Sequence, residues 1–420
     1  MKIIPVVLFG DLIAAYGVIR ALGPLNIPIY IVSKKGNGIA TKSRYIKDIY
    51  ALEANDANFI EKLNGWLLKK VGGNAVLMIA GVDDYLDTLS KNINKLLPNL
   101  KLTFPEWKIV KTIREKAIAY RIAEQIGIPV PKTFLITSQN ELEDSLKKIP
   151  PASFPLLMKA EDSSRFLGKY GTKGIICNNS SEVIDNYKMH NNFYNNLLLQ
   201  EMIPGGENML FNFITVLNTN SDPVAVFMNK KIRSSKQFLN CTLMETMWSE
   251  EVLAYSLNLL KKIGYIGYAN TEFKYDTRDN SFKFIEINGR ISMSNSHALK
   301  CGINLPLLIY KESLEGPLAK QNEFRKTYSD KILWWYLEED IRSIITTDKK
   351  NRISLREFFR SIVGKKCAIE PMFWLDPLPG FISLFKILTY TLKFVFYKIP
   401  GVYFSGRIIK KIKALMISSK

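Results

Sequence analysis

The chain has 420 residues, of which 47% are hydrophobic and 23% are charged. This length exceeds one ordinary hydrophobic core, so we expect two or three domains of a folded globular protein. The four cysteines lie about 60 residues apart and there are only two histidines. This spacing argues against a structural zinc site and against a disulfide framework.

The formal net charge is +19. Residues 319–420 hold 20 Lys and Arg against 9 Asp and Glu, a net charge of +11. Such a charge attracts anions, so the candidate partners are nucleotides, nucleic acid or an anionic membrane surface. For the first three quarters of the chain, a general richness in lysine explains the charge equally well.

The first hundred residues alternate between apolar strands and helical patterns, which indicates a parallel sheet covered by helices. The predicted strands are 3–9, 27–32 and 75–81, and the predicted helices are 12–22 and 85–97. The turn after the first strand is GDLIAAYG. It lacks the GxGxxG pattern, so we predict a scaffold with some substrate contacts near Asp83 and Asp84 and no dinucleotide site. The apolar start is too short for a signal peptide, which favours a cytoplasmic protein.

The middle of the chain predicts a second α/β unit. A single amphipathic helix is expected at 113–126, and a polar, glycine-bearing loop at 163–174. The remaining predicted elements are strands at 155–159, 197–200, 211–217 and 224–229 and a helix at 250–263.

A hairpin formed by residues 269–275 and 282–288 carries the most informative polar side chains. Side chains alternate between the two faces of a strand, so Glu286 and Asn288 share one face, and Ile285 and Ile287 share the other. On the first strand, Glu272 and Lys274 share a face, opposite Phe273 and Tyr275.

The register of this hairpin decides whether its acids meet. If Asp276 pairs with Phe282, Glu272 falls directly opposite Glu286. Two carboxylates placed there repel each other unless a cation lies between them. Oxygen ligands without His or Cys suit Mg²⁺. A solvated sheet face that carries two acids is the alternative, and a slip by one residue would separate them.

Several neighbouring segments favour a nucleotide site. Lys159 ends an apolar strand and can point one ammonium group at a phosphate. The loop at 163–174 offers glycines for close backbone approach together with Ser, Thr and Lys donors. Backbone groups of 200–203 could pair with an adenine edge, and Glu207 could accept hydrogen bonds from ribose. An ordinary surface loop and a turn-associated acid are the simpler explanations of these last features.

Six motifs follow one another along the chain, in the order REKAIAYRIAEQIGIPVPKT, FPLLMKA, LLLQEMIPGGE, NKKIR, NTEFKYD and FIEINGR. Their order resembles the ATP-grasp superfamily, in the branch of carbamoyl-phosphate synthase, biotin carboxylase and D-aspartate ligase. The resemblance covers about 110–318. It implies mixed α/β and α+β architecture, with a Rossmann-like pre-ATP-grasp domain at 1–108, an ATP-grasp domain at 109–318 and a basic, aromatic-rich extension at 319–420.

The resemblance also implies residue roles. Lys116 and Lys159 match lysines that contact ATP phosphates, Glu201 and Ile203 match the adenine hinge, and Glu207 matches the ribose-binding acid. The implied ligands of one or two Mg²⁺ or Mn²⁺ ions are Glu272, Glu286 and Asn288. Arg290 and Arg233 match arginines near the transferred phosphoryl group and the substrates. The glycine loop is longer and more basic than the compact family version.

The activity that the resemblance implies is ATP-dependent joining of a small-molecule carboxylate to an amine through an acylphosphate. An amino acid and an envelope or glycan precursor are the substrates suggested by analogy. A catalytically silent, membrane-associated scaffold with the same fold is the alternative. A nucleic-acid-binding protein is a third reading that only the net charge motivates, since the sequence has no recognition helix or stacking motif.

The carboxy-terminal segment carries a separate expectation. Stretches similar to WWYLEED and FWLDPLPGF occur in D-aspartate-ligase-like proteins, so part of 331–380 is expected to belong to the enzyme body. Residues 381–420 combine aromatic residues with spaced lysines, and their apolar runs are too short to cross a membrane. This pattern suits a helix on an anionic membrane surface, at the inner face of the membrane. A helix packed on the protein's own core is the equal alternative.

Overall fold

A computed structural model describes residues 3–161, 163–190, 196–235, 240–325, 328–346 and 353–398. The amino-terminal unit is a five-stranded parallel sheet with strand order β3-β2-β1-β4-β5. Its elements are β1 (Val6–Phe9), α1 (Ile13–Leu22), β2 (Ile29–Ser33), β3 (Ile46–Ala51), α2 (Phe59–Val71), β4 (Val76–Ala80), α3 (Asp83–Lys91) and β5 (Leu100–Leu102). The three predicted strands and the strand–helix alternation are confirmed.

Two helices, α4 (Trp107–Arg114) and α5 (Lys116–Gln125), lead out of this unit. The prediction of one helix over 113–126 is wrong because Glu115 between them has an extended backbone, with φ −85° and ψ 95°. No Gly or Pro marks this break. The break makes Lys116 the first residue of a new helix.

A smaller unit follows, with an antiparallel sheet of strand order β6-β9-β7-β8. Its elements are β6 (Thr133–Ile136), α6 (Gln139–Lys148), β7 (Leu156–Ala160), α7 (Ser163–Tyr170), β8 (Ile175–Cys177), α8 (Ser180–His190) and β9 (Leu197–Glu201). The loop predicted at 163–174 is therefore wrong for its first eight residues, which form α7. Phe166 is fully buried in the core of this unit, so apolar packing outweighs the local glycine signal.

The largest sheet has seven strands in the order β14-β13-β10-β11-β12-β15-β16. Its elements are β10 (Leu210–Leu217), β11 (Pro223–Ser234), β12 (Cys241–Thr246), α9 (Glu250–Ile263), β13 (Gly267–Asp276), β14 (Ser281–Asn288), α10 (Asn295–Lys300), α11 (Leu305–Glu315), β15 (Ile332–Tyr336), α12 (Leu337–Thr346), α13 (Leu355–Ile362) and β16 (Lys366–Glu370). Because β15 pairs with β12, the segment after residue 331 extends the same sheet. The expectation that part of 331–380 belongs to the main body is confirmed.

The last described element is a long helix, α14 (Pro377–Lys398), which packs on α12. Of the segment 381–420 that we predicted to bind a membrane surface, residues 399–420 lie outside the described residues. Within the described part of the chain, no helix is long and apolar enough to cross a membrane.

Candidate active site

A cavity of about 370 Å³ opens between the four-stranded and the seven-stranded sheets. Strands β7 and β9 of the smaller sheet form one wall, and β11, β13 and β14 of the larger sheet form the other. The predicted residues on its lining are Lys116, Lys159, Glu201, Ile203, Glu207, Glu272 and Glu286. The fold therefore brings together side chains that are up to 170 positions apart in the chain.

The predicted meeting of the two acids is confirmed, although by a different register. The assumed pairing of Asp276 with Phe282 is wrong, because Asp276 pairs with Ser281. That register alone would place Glu272 opposite Ile285. An irregularity in the strand pairing next to Glu272 absorbs one residue of β14, and Glu272 then pairs with Glu286.

The same bulge changes which side chains of β14 share a face. Ile285 lines the cavity together with Glu286, so its predicted position on the opposite face is wrong. Ile287 is buried in the core as predicted. On β13, Glu272 and Lys274 both line the cavity while Phe273 is fully buried behind them, which confirms the predicted alternation.

Asn288 lies against both acids. Its amide nitrogen is 3.3 Å from Glu272 Oε1 and 3.4 Å from Glu286 Oε1. One small polar group therefore reaches both carboxylates. The described residues contain no cluster of three acidic, histidine or cysteine side chains that could hold a metal. With the Asn288 amide turned over, the donor set is two carboxylates and one amide oxygen, which suits a Mg²⁺ ion that takes further ligands from water and phosphates.

Lysines offset the charge of these acids. Lys116 Nζ is 3.2 Å from Glu286 Oε2, and Lys231 Nζ is 3.7 Å from Glu272 Oε2. Burial alone would raise the pKa of Glu286, but the ammonium groups of Lys116, Lys173 and Lys159 hold that pKa well below its usual range. Glu286 is therefore a carboxylate at neutral pH and can serve as an anionic ligand.

Lys159 is the most buried cation of the cavity wall, with 6% of its surface exposed. Its Nζ donates hydrogen bonds to Gln200 Oε1 at 2.8 Å and to the Tyr120 hydroxyl at 3.4 Å. These partners are neutral. Burial, followed by the nearby charge of Lys116, lowers the pKa of Lys159 to about 7. Neither Gln200 nor Tyr120 carries a negative charge. An anion that entered the cavity would therefore form an ion pair with the Lys159 ammonium.

The predicted hinge lies where β9 leaves its sheet. The Glu201 backbone N–H donates to Lys132 O at 2.9 Å, and its side chain accepts from Lys132 N at 2.8 Å and from Arg278 at 2.9 Å. The Glu201 side chain thus holds the hinge in position, and residues 202–203 line the cavity beyond it. Glu207 lies on the same lining and accepts a 2.8 Å hydrogen bond from Ser234 Oγ.

Arg290 follows β14 at the boundary with the amino-terminal unit. Its Nε donates to Asp83 Oδ2 at 3.2 Å. Burial favours the neutral form of Asp83, but Arg290 and Arg114 outweigh burial and keep the pKa of Asp83 below its ordinary value. The position before Arg290 is a glycine, Gly289. A side chain there would clash, because a Cβ would lie 2.5 Å from the Tyr265 hydroxyl oxygen. Arg290 and Asn288 are not among the residues that line the cavity.

Arg233 lies away from the cavity lining. Its guanidinium forms a two-pronged pair with Asp340, at 2.8 Å from Nε to Oδ1 and 2.5 Å from Nη2 to Oδ2. It also donates to Ser361 Oγ at 3.0 Å. Asp340 has no exposed side-chain surface and accepts further hydrogen bonds from Thr242 and Trp335. These contacts join β11 to α12 and α13, so in this structure the Arg233 side chain holds parts of the fold together.

Two cavity lysines were not predicted as site residues, Lys231 and Lys274, whereas Lys173 on the same lining belongs to the loop predicted to supply lysine donors to phosphates. Lys231 lies two positions before Arg233, in the same NKKIR motif. A β-bulge between Lys231 and Arg233 gives them different surroundings. Strand alternation alone would have placed both on one face, so only the motif itself could have suggested Lys231.

Comparisons with known proteins agree with this architecture. Residues 212–311 match the family described as carbamoyl-phosphate synthase L chain, ATP binding domain. The chain is 21% identical over 267 residues to a D-aspartate ligase of Enterococcus faecium (strain Aus0004), which covers 62% of this chain and 63% of that protein. The chain therefore spans somewhat less than two thirds of this relative's length.

Solved structures share the fold. The biotin carboxylase domain of Hydrogenobacter thermophilus 2-oxoglutarate carboxylase, in complex with MgADP, ADP and bicarbonate, has a TM-score of 0.59 and 18% identity over 79% of this chain and 74% of that one. An L-amino acid ligase from Bacillus licheniformis has a TM-score of 0.59 and 15% identity over 79% of each chain. These likenesses show a shared fold, and together with the family match over residues 212–311 they support the predicted resemblance to the ATP-grasp superfamily.

Proposed function

We propose that this protein is an ATP-dependent ligase that joins a carboxylate to an amine through an acylphosphate. The observation that carries the proposal is the cavity itself, where the Glu272–Glu286 pair lies beside Lys116 and across the gap between the two sheets from Lys159. Acids that can hold a metal and cations that can hold phosphates are the two requirements of phosphoryl transfer.

In this proposal Glu272, Glu286 and Asn288 hold one or two Mg²⁺ ions, with Mn²⁺ as a substitute. The bound metal would supply charge neutralisation on the nucleotide phosphates. The donor chemistry of the three side chains supports this assignment, and so does the MgADP named for the H. thermophilus relative. Lys116 and Lys231 would exchange part of their present pairing with the acids for contacts to phosphate oxygens.

The nucleotide is proposed to lie along the β9 side of the cavity. Backbone groups at Glu201–Ile203 would pair with the adenine edge, and Glu207 would accept from the ribose hydroxyls. Lys159 and Lys116 would contact the phosphates. A buried ammonium whose hydrogen-bond partners are neutral gains more from a phosphate than an exposed lysine does, because the surrounding dielectric is low.

The proposed reaction has two displacements. A substrate carboxylate oxygen attacks the γ-phosphorus of ATP, the bond from that phosphorus to the bridging oxygen breaks, and ADP leaves. The amine nitrogen then attacks the acyl carbon of the acylphosphate, inorganic phosphate leaves with the bonding electron pair, and the nitrogen loses a proton. The protein's part is to position the reactants and offset charge. Arg290, oriented by Asp83, is proposed to contact the substrate carboxylate and the transferring phosphoryl group. Arg233 has no part in this proposal.

The test compares two site variants with a control on the same hairpin. Glu286→Gln and Arg290→Ala should abolish substrate-dependent ADP release while both proteins remain folded by circular dichroism. Asp279→Asn changes an exposed acid in the turn of the β13–β14 hairpin and should leave turnover unchanged. Normal turnover in Glu286→Gln or Arg290→Ala would overturn the site assignment.

The substrates are proposals at a finer level. The names of the two ligase relatives, D-aspartate ligase and L-amino acid ligase, support an amino acid as one substrate. An envelope or glycan precursor is proposed for the other. A panel of carboxylates and amines tested for stimulated phosphate release distinguishes the pairs. If no member stimulates release, the catalytically silent scaffold is the better description. Association with an anionic membrane surface is proposed separately, and it rests on α14.

A further inference from the structure

Helix α14 turns Ser383 and Lys386 towards the protein. Ser383 is buried, and Lys386 Nζ is 3.7 Å from Glu338 Oε1 of α12. Pro379 and Gly380 are buried on the same side, where a Cβ on Gly380 would lie 3.0 Å from Met372 Sδ. These contacts define which way the helix is turned.

The opposite side of α14 is apolar and exposed. Phe381 has 64% and Leu388 has 53% of its surface exposed. Among the residues of the helix whose burial is described, the exposed apolar ones are Leu378, Phe381, Leu384, Phe385, Leu388 and Leu392. Five of them follow the three-and-four spacing of one helix face. Trp374, 93% exposed, and Leu375 lie just before the helix. We name these eight exposed residues together the α14 apolar face.

An ordinary surface helix turns its apolar stripe towards the core. On α14 these large apolar side chains stay exposed instead, and an exposed apolar surface of this kind marks an interaction site. The α14 apolar face contains no charged side chain among its exposed described residues.

The positive charge of the chain around the α14 apolar face indicates which kind of partner binds there. From Pro377 to Lys420 there are 8 Lys and Arg and no Asp or Glu. A second copy of the chain would bring two positive segments together, and the chain's own terminal residues carry the same sign of charge. An anionic lipid surface complements this charge, and its interfacial region accepts leucine and aromatic side chains without the helix crossing it.

We propose that the α14 apolar face binds the surface of an anionic lipid bilayer, with the helix lying parallel to it. Trp374 and Phe381 enter the interfacial layer of the bilayer. The enzyme body then stays in water on the side of α14 that packs on α12. This proposal stands on the orientation of α14 and is independent of the ligase activity.

The test uses the full chain with vesicles of pure phosphatidylcholine and of phosphatidylcholine with about 30% phosphatidylglycerol, whose surface is anionic and attracts basic segments. The wild-type protein should float with the anionic vesicles and not with the neutral ones, and added salt should weaken its binding. The double variant Phe381→Gln/Leu388→Gln should bind the anionic vesicles at least about tenfold more weakly, because it lacks two apolar side chains that the bilayer would bury.

The matched control is Leu68→Gln/Met189→Gln, which removes two exposed apolar side chains from α2 and α8 and should float like the wild type. Circular dichroism melting shows that both variants are folded. The proposal would be overturned if the Phe381→Gln/Leu388→Gln variant floated with anionic vesicles as well as the wild-type protein does. It would also be overturned if the wild-type protein bound the neutral vesicles and not the anionic ones. A wild-type dimer in ultracentrifugation that becomes a monomer in that variant would assign the face to a second copy instead.

Discussion

We predict that nucleotide binding weakens as the pH rises, because the buried Lys159 loses its proton more easily than an ordinary lysine does. Burial and Lys116 lower its pKa to about 7 in the free protein. A phosphate contact favours the charged form, so the pKa of Lys159 in the nucleotide complex must be higher. Below pH 7 the ammonium is present in both states. Above pH 7 the free protein must first take up a proton, and this cost is added to the binding free energy.

The size of the effect follows from the pKa in the free protein. The dissociation constant should rise about 5.5-fold between pH 7 and pH 8, since half of the lysine is already neutral at pH 7, and about ninefold more between pH 8 and pH 9. In all this is about 50-fold, or about 2.3 kcal/mol. The terminal phosphate of a nucleotide loses its last proton at about pH 6, so its titration contributes little to the change in the dissociation constant between pH 7 and pH 9. The rise ends where the pH reaches the pKa of Lys159 in the complex.

Calorimetric titration with a non-hydrolysable ATP analogue from pH 7 to pH 9 measures this dependence, and buffers of different ionisation enthalpy report the proton taken up. The matched control is Lys159→Arg, whose guanidinium stays charged and should give a nearly flat profile. A flat profile in the wild-type protein, or an unchanged slope in Lys159→Arg, would refute the reasoning.

Two stability predictions follow from buried contacts outside the cavity. Arg233→Met leaves the buried Asp340 carboxylate without its cation, so urea unfolding should show a loss of about 3–5 kcal/mol. The double variant Arg233→Met/Asp340→Leu should recover most of it, and a stable Arg233→Met protein that has lost ATP turnover would instead give Arg233 a role in the site. Gly267→Ala should lower the thermal midpoint more than Gly264→Ala, because both glycines have positive φ but only at Gly267 would a Cβ meet a backbone atom, Thr103 O at 2.0 Å. Equal midpoints in the two alanine variants would contradict that close approach.

The hairpin shows how far local patterns reach. Alternation along β13 predicted that Glu272 and Lys274 share one face, and the buried Phe273 confirms it. The pairing of Glu272 with Glu286 was also predicted, but the assumed register was off by one residue and the bulge next to Glu272 compensates for it. A bulge depends on how a strand fits its neighbours, so residue alternation does not reveal it.

The sequence by itself determined the strand–helix alternation of the first unit, the acid-bearing hairpin and the order of the motifs, because each depends on residues that are close in the chain. Only the tertiary structure decided which cations meet the acids. Lys116, Lys159 and Lys231 come from a helix and two different sheets, and long-range packing gives each its burial and partners. The same packing placed Arg233 against Asp340 and turned the apolar face of α14 outward, since both outcomes depend on contacts between distant parts of the chain.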